Sequence, residues 1–293
     1  MRIALTLIAG APGSGLPRLA AKVAEALAIP AEPVWLAPDR ACDLLLEGAD
    51  PAVIDAAARI VIGAAPVDVL AQPERSRRKR LLVADLESTM IENEMLDELA
   101  LLLGIGPRVA EITRRAMNGE VDFAEALEAR VALLAGAEAR VLDQAAARIR
   151  LALGARVLVD TMRRNGAATA LVTGGFTIFA ERVARDLGVD RVIANRLDVA
   201  AGRLTGRVLA PIVTGDTKRE TLLALAAELA VPPVRTIAVG DGANDLAMLA
   251  AAGLGVAFRA KPRVAAAARW RLDHADLTGL LYAQGYRLAE LAS

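Results

Sequence analysis

Two short apolar runs in this chain end abruptly in carboxylates. Leu81 to Ala84 is followed by Asp85, Leu86, Glu87, Ser88 and Thr89, and Thr236 to Val239 is followed by Gly240, Asp241, Gly242, Ala243, Asn244 and Asp245. An apolar run that stops at turn residues reads as a buried strand. A carboxylate at the carboxyl end of such a strand lies at the open edge of an α/β sheet, where ligands bind. Two such ends, distant in sequence, can meet in space and hold a hard cation between their oxygens. The pattern predicts a parallel sheet with an acidic edge suited to Mg2+-dependent phosphoryl chemistry.

Composition narrows the chemistry further. The 293 residues suit one large domain or two smaller ones. Thirty-five basic residues balance thirty-five acidic ones, so no global field favours nucleic acid or an anionic membrane. Cys42 is the only cysteine and His274 the only histidine, which excludes an intrachain disulfide, a thiolate cluster and a His-rich zinc site. Carboxylates must therefore carry most acid–base work. Arg2 followed by the apolar residues 3–11 looks like a short signal peptide, but Pro12 follows at once and a first strand is the better reading. No uninterrupted apolar run reaches membrane-spanning length, so no membrane segment is expected. Without export signals or paired cysteines, the expected location is the cytoplasm.

Along the chain, residues 3–9 read as a strand, 17–28 as a helix, and 32–37 and 42–47 as strands broken by Pro38 and Asp39. Asp50 and Pro51 open a helix running to about 62, and 67–71 reads as a further strand. The order β-α-β-β-α-β is ferredoxin-like, giving a small α+β domain over residues 1–74. The basic stretch 73–80 reads as a solvated hinge; it lacks the interleaved aromatic residues of a nucleic-acid patch. From 75 to 293 the pattern is α/β: a Rossmann-like parallel sheet core over 78–91 and 159–285, with a helical cap of about 92–158 inserted after its first strand. The cap is Ala- and Leu-rich, with breaks near Gly104, Gly119 and Gly136. Strands are expected at 169–172, 192–196, 235–239 and 254–257, with a two-stranded excursion over 195–208 that turns near Gly202.

Several residues carry potential chemistry. Gly10 to Gly15 is glycine-rich, but Leu16 and Pro17 stand where a phosphate loop needs Lys and Ser or Thr, so it reads as a strand-to-helix turn. Asp85 can attack phosphorus and form an acyl phosphate. A carboxylate nearby, such as Glu87, can protonate a leaving alcohol and then deprotonate water. Mg2+ would neutralise the phosphate so that an anionic nucleophile can approach. Thr173, Gly174 and Gly175 follow a strand and can bring a hydroxyl and backbone N–H groups to a phosphate. Lys218 falls in the first turn of a helix expected over 217–230, where it opposes the helix dipole and is better explained by an anion it meets.

Taken in order, Asp85-Leu86-Glu87-Ser88-Thr89, Thr173-Gly174-Gly175, Lys218 and Gly240 to Asp245 resemble the four motifs of the haloacid dehalogenase phosphatase superfamily. Residues 88–94, 116–123 and 126–134 resemble the cap segments of the phosphoserine phosphatases within it. The resemblance covers about 78–285. It implies Asp85 as nucleophile and metal ligand, and position 87 as general acid/base and backbone-carbonyl ligand. Asp241 and Asp245 would complete the Mg2+ site. Thr173, Gly174 and Lys218 would hold the phosphoryl group, with Asn244 beside the substrate. Phosphoserine carries an ammonium that Glu94 can pair with and a carboxylate that the planar fork of Arg130 can grip. Met117 and Phe123 would form an apolar wall that excludes water. Plainer readings exist for all four: helix-surface charges for Glu94 and Arg130, and cap core for Met117 and Phe123.

The implied activity is hydrolysis of O-phospho-L-serine to serine and phosphate, the last step of serine biosynthesis. Two departures stand out. Glu87 replaces the usual Asp, and Thr173 the usual Ser. The N-terminal region resembles the amino-acid-binding regulatory domains attached to bacterial members; serine binding, homodimerisation and simple scaffolding are all open for it. A related phosphatase or phosphotransferase for another small phosphorylated amino acid, and an inactive amino-acid sensor marked by Glu87, are the alternative readings.

Overall fold

The structure is a computed structural model that describes residues 1–293 except positions 31, 49, 118, 119 and 293. The N-terminal part runs β1 (Arg2–Ala9), α1 (Leu16–Ala26), β2 (Val34–Ala37), β3 (Ala41–Glu47), α2 (Pro51–Ile62) and β4 (Val67–Pro73). Its strands lie in the order β2-β3-β1-β4, with antiparallel neighbours throughout, which is the ferredoxin-like arrangement. Side chains of β1 alternate between faces. Ile3, Leu5, Leu7 and Ala9 pack on Leu16, Ala20 and Val23 of α1 and on Ala58 and Ile62 of α2. Ile8, with Leu70 of β4, joins the larger core on the other side. Asp50 caps α2 by accepting the Ala52 N–H at 2.8 Å, with Pro51 as the first helical residue. Residues 10–15 form the turn expected between β1 and α1, with Gly13 at φ 80° and Gly15 at φ 71°.

The second part begins with β5 (Leu81–Ala84). Next come α3 (Met95–Leu102), α4 (Gly106–Met117), α5 (Phe123–Ala132), α6 (Arg140–Ala146) and α7 (Ala155–Arg164). Then follow β6 (Ala168–Phe176), α8 (Thr177–Leu187), β7 (Arg191–Ala200), β8 (Arg203–Leu209), α9 (Gly215–Glu228) and β9 (Thr236–Gly240). The chain closes with α10 (Leu246–Ala251), β10 (Leu254–Phe258), α11 (Pro262–Ala267), β11 (Trp270–Leu272) and α12 (Gly279–Ala283). The sheet order is β11-β10-β9-β5-β6-β7-β8, parallel except for the β7–β8 hairpin. Leu81, Val83, Val172 and Ala238 pack against α9 and α10 through Leu222, Leu225 and Met248. Leu82, Ala84, Leu171 and Val239 lie in the cluster that holds Leu158 and Met162 of α7 and Phe179 of α8. With both faces covered, these strands are continuous apolar runs. From β5 the chain moves outward to β6 and β7, then returns to β9 on the other side. That reversal opens a crevice between β5 and β9 at their carboxyl ends.

Helices α3 to α6 form the cap. Its two connecting segments meet in a single antiparallel bridge between Ile91 and Leu151. Asn93 is buried at this junction: its side-chain oxygen accepts the Arg150 N–H at 2.8 Å, and its amide donates to Glu98 at 2.7 Å. Breaks occur at Gly104 (φ 68°) and Gly136 (φ 82°), while Gly119 lies outside the described residues. Helix α7 spans position 158, where the sequence divides cap from core, and it packs on β6 and α8. Among the described residues no helix is long and apolar enough to cross a membrane.

The basic stretch 73–80 is not a solvated hinge. Arg77 pairs at 2.5 Å with Asp43, which is buried and also accepts the Thr6 hydroxyl at 2.7 Å. Arg78 lies 3.5 Å from the Tyr286 ring centroid and donates to Gly285 O and Glu290. Lys79 is buried, its ammonium donating to the carbonyls of Ser76 and Val234, both at 3.0 Å. Burial pushes that ammonium down to about 8. Sequence shows only a run of cations; most of the groups that receive them, Asp43, the Tyr286 ring and the Val234 and Gly285 carbonyls, come from remote segments.

The same face is fastened further by β11 and α12, which sequence patterning did not reveal. Trp270 Nε1 donates to Ala71 O at 3.1 Å, and Gln72 Nε2 to Ala283 O at 2.8 Å. Asp68 of β4 is buried and accepts three consecutive backbone N–H groups, from Asp273 (2.7 Å), His274 (3.2 Å) and Ala275 (2.8 Å). Removing this carboxylate orphans three donors inside the interface. Asp68→Ala is expected to lower the unfolding free energy by about 3 kcal/mol, read from urea denaturation. A loss below about 0.5 kcal/mol, the range of an ordinary surface change, would mean that the clasp contributes nothing to stability.

Candidate active site

The site forms where β5 and β9 end side by side. Ala84 pairs with Val239, and the Asp85 N–H extends that ladder to Val239 O at 3.0 Å. Asp85 is thereby set beside the turn that carries Asp241. The chain then doubles back: Ser88 takes φ 54°, and the N–H groups of Met90 and Ile91 both reach Leu86 O. This turn buries Thr89, whose hydroxyl donates to Asp241 Oδ1 at 3.2 Å.

After β9, a short turn brings Asp245 back toward the strand end. A Cβ on Gly240 would stand 2.3 Å from the Asp245 Cγ, so only glycine permits this return. Asp245 Oδ2 accepts the Gly242 N–H at 2.9 Å, and its Oδ1 accepts Lys218 Nζ at 2.7 Å. Lys218 also reaches Asp85 Oδ1 at 2.8 Å and is fully buried. Thr214 caps α9, and Lys218 lies one turn in, at the base of the crevice. Gly215 makes this seat possible, since a Cβ there would stand 2.9 Å from Asn244 O.

Asp85, Asp241 and Asp245 each place a carboxylate oxygen within 4.8 Å of the others. Against these three charges stands one buried ammonium; the exposed Lys261 approaches Asp241 only to 3.8 Å. Burial, then the charge of Asp85, pushes Asp241 up to about 6. Asp245 is pushed up by the same two causes, with Lys218 opposing. Burial works against the Lys218 charge, but Asp85 and Asp245 more than compensate and hold its ammonium above the ordinary range. A crowded, all-oxygen and under-neutralised donor set fits a hard divalent cation such as Mg2+. The Glu87 carboxylate lies outside this group.

Across the crevice, β6 loses its register with β7 between Val172 and Phe176. In that interruption the Thr173 hydroxyl accepts the Gly175 N–H at 2.9 Å, and Gly174 O accepts Asn195 Nδ2 at 2.7 Å. Both glycines lie directly under cap-side groups. A Cβ on Gly174 would stand 2.8 Å from the Phe123 ring, and one on Gly175 would stand 2.7 Å from Glu87 Oε2. Phe123 opens α5 and so brings the cap down onto the core. Glu87 turns the same way, its Oε1 accepting the N–H of Met95, the first residue of α3, at 2.8 Å. Burial, followed by the neighbouring charge of Glu94, raises the Glu87 carboxyl to about 8.

The remaining expected residues line the cap side. Glu94 is exposed and accepts the Ser88 hydroxyl at 2.7 Å. Arg130 is half-buried and donates through Nε to Ala126 O of its own helix, with Asp97, Glu87 and Glu94 as the carboxylates acting on it. The Met117 side chain lies outside the described residues. Asp85, Asp241, Asp245 and Lys218 therefore form one contact group, and Phe123 meets Gly174. Glu87, Glu94 and Arg130 gather at the cap–core crossing. Sequence reading missed Thr89, Lys261, Asp97 and Asn195 as residues of the site. Thr89 sits inside a motif already recognised; nothing local marks the other three.

The haloacid dehalogenase-like hydrolase family model matches residues 82–250. The phosphoserine phosphatase SerB2 of Mycobacterium tuberculosis is 45% identical over 215 residues, 73% of this chain and 53% of that protein. The phosphoserine phosphatase of Lactococcus lactis is 44% identical over 203 residues, 69% of this chain and 94% of that protein. The chain spans little more than half the length of the first curated relatives it matches. Among solved structures, the unliganded probable phosphoserine phosphatase of Vibrio cholerae superposes with a TM-score of 0.80 at 32% identity, covering 98% of this chain and 88% of that one. With the family model spanning more than half of its length and these relatives beside it, the chain belongs to the haloacid dehalogenase-like hydrolases.

Proposed function

We propose that this chain is a Mg2+-dependent phosphoserine phosphatase, releasing serine and phosphate through an aspartyl-phosphate intermediate as the last step of serine biosynthesis. The observation that carries the reading is the buried Lys218 shared between Asp85 and Asp245 at the β5–β9 reversal, beside Asp241 and under a cap that presents Glu94 and Arg130. The names of the relatives support the substrate. Asp85 attacks phosphorus as the ester P–O bond breaks, and Glu87 gives its proton to the departing serine oxygen. A carboxyl held near 8 is protonated at neutral pH and suited to that first step. Glu87 then takes a proton from the water that attacks the phosphoaspartate, and Asp85 is regenerated.

Lys218, Thr173 and Gly174 hold the phosphoryl oxygens. Asp85, Asp241, Asp245 and the backbone carbonyl at 87 would hold Mg2+, which when bound supplies neutralisation of the phosphate charge. Glu94 receives the substrate ammonium and Arg130 its carboxylate; Phe123 shields the reacting centre, with Asn244 alongside. Residues 75–293 carry this chemistry. Residues 1–74 form a fixed support for them, because the basic stretch 73–80 and the Asp68 clasp leave their sheet firmly docked. A cytoplasmic location belongs to the same reading.

The first test is phosphate release from L-phosphoserine beside sugar and nucleotide phosphates, with Mg2+ and after its removal by chelation. Preference for phosphoserine that disappears with the metal is expected. Equal rates across the panel would sink the substrate, and turnover that survives chelation would sink the Mg2+ assignment. Asp85→Asn is expected to abolish turnover while the protein still melts cooperatively. Near-normal rates would remove Asp85 as the nucleophile. Arg130→Ala should cut kcat/KM for phosphoserine by about 100-fold, the scale of losing a charged hydrogen-bonding pair. A phosphate ester lacking the carboxylate should be affected far less, and equal losses on both substrates would take Arg130 out of recognition.

A further inference from the structure

Asn195 sits where β7 passes the interrupted stretch of β6, paired with Phe176, and is completely buried. Both ends of its amide are used. Nδ2 donates to Gly174 O at 2.7 Å, and Oδ1 accepts the Val213 N–H at 2.8 Å. The first bond satisfies a carbonyl left without its ladder partner by the irregularity over 173–175. The second fixes the residue immediately before Thr214, the cap of α9, and so fixes the helix that delivers Lys218.

We infer that Asn195 is a positioning residue that sets two phosphate-contacting elements, the 173–175 loop and the start of α9, at a fixed separation. The inference takes its substrate from the phosphatase reading above. Thr173 and Lys218 lie on separate segments, and among the described residues the Asn195 amide bonds directly to both loops that carry them. A buried primary amide suits the task, because it offers N–H donors at one end and a carbonyl acceptor at the other, in one plane and without charge. Loss of that link lets the two elements drift independently, and displacement on the order of 1 Å costs about 100-fold in rate.

The test compares wild type, Asn195→Ala and Asn195→Asp in three measurements: phosphoserine turnover over a range of pH, Mg2+-dependent binding of inorganic phosphate by calorimetry, and thermal melting. For Asn195→Ala, kcat is expected to fall about 100-fold. Phosphate affinity is expected to fall about tenfold, equivalent to about 1.4 kcal/mol. Asn195→Asp carries the discriminating signature. Its neutral carboxyl reproduces the pattern, O–H to Gly174 O and C=O from the Val213 N–H, whereas its ionised form sets a charge against a carbonyl. Burial in that contact raises the acid's pKa. The activity of Asn195→Asp relative to wild type should therefore climb severalfold as pH falls from about 8 to about 6.

A relative activity independent of pH, or full kcat and phosphate affinity in Asn195→Ala, overturns the proposal. If Asn195→Ala does not fold, the pH profile of Asn195→Asp decides. Wild type inactive on phosphoserine would overturn the substrate reading alone, since inorganic phosphate binding still reports on the two elements.

Discussion

Lys218 is the constraint around which this site is arranged. A fully buried ammonium costs several kcal/mol in desolvation, and among the described residues the carboxylates of Asp85 and Asp245 offset it. Such a cluster is poor value as a stabilising device, since packed apolar residues of similar volume commonly do as well or better. Its geometry nevertheless dictates much of what surrounds it. Gly240 must lack a side chain for Asp245 to return, Gly215 must lack one for α9 to approach Asn244, and Asp85 must lie at the strand end. A fold that accepts these restrictions for an expensive cation points to an anion that the cation serves.

The N-terminal sheet supports that arrangement from a distance. Its helices cover one face, and the other is docked on the segment that follows β10. Asp68 clasps residues 273–275; Arg259, at φ 43°, hydrogen-bonds Leu272 and Ala275 from the other side. Two residues further on, the Lys261 N–H reaches Asp241 O. A continuous run of hydrogen bonds thus links the small sheet to the acidic edge. The bonds run from 2.7 to 3.3 Å and are joined by short stretches of chain, which argues for support of the carboxylate geometry over a loosely tethered module.

Much of this was legible in the sequence because the signals were local. Strand ends at Asp85 and Asp241, the cap at Asp50, and the ferredoxin-like order all rest on residues within a few positions of one another. The basic stretch 73–80 was misread for the opposite reason. Arg77, Arg78 and Lys79 look like a solvated run until Asp43, Tyr286 and Val234 arrive from elsewhere in the chain. Asn195 was invisible in the same way: its partners lie 21 and 18 residues away, and an asparagine inside an apolar strand announces no role. Three-residue β11 is too short for periodicity to mark, though Trp270 makes it a fastening point.

Glu87 shows how a departure from a motif can be absorbed. An aspartate at this position would end one methylene sooner. The longer side chain reaches the N–H of Met95 and lies directly over Gly175, so it bridges the opening turn of the cap and the floor of the core. That contact places a carboxyl at the crossing of cap and core, the boundary that excludes water from the site. On the proposed reading, the proton donor is itself a tie between cap and core.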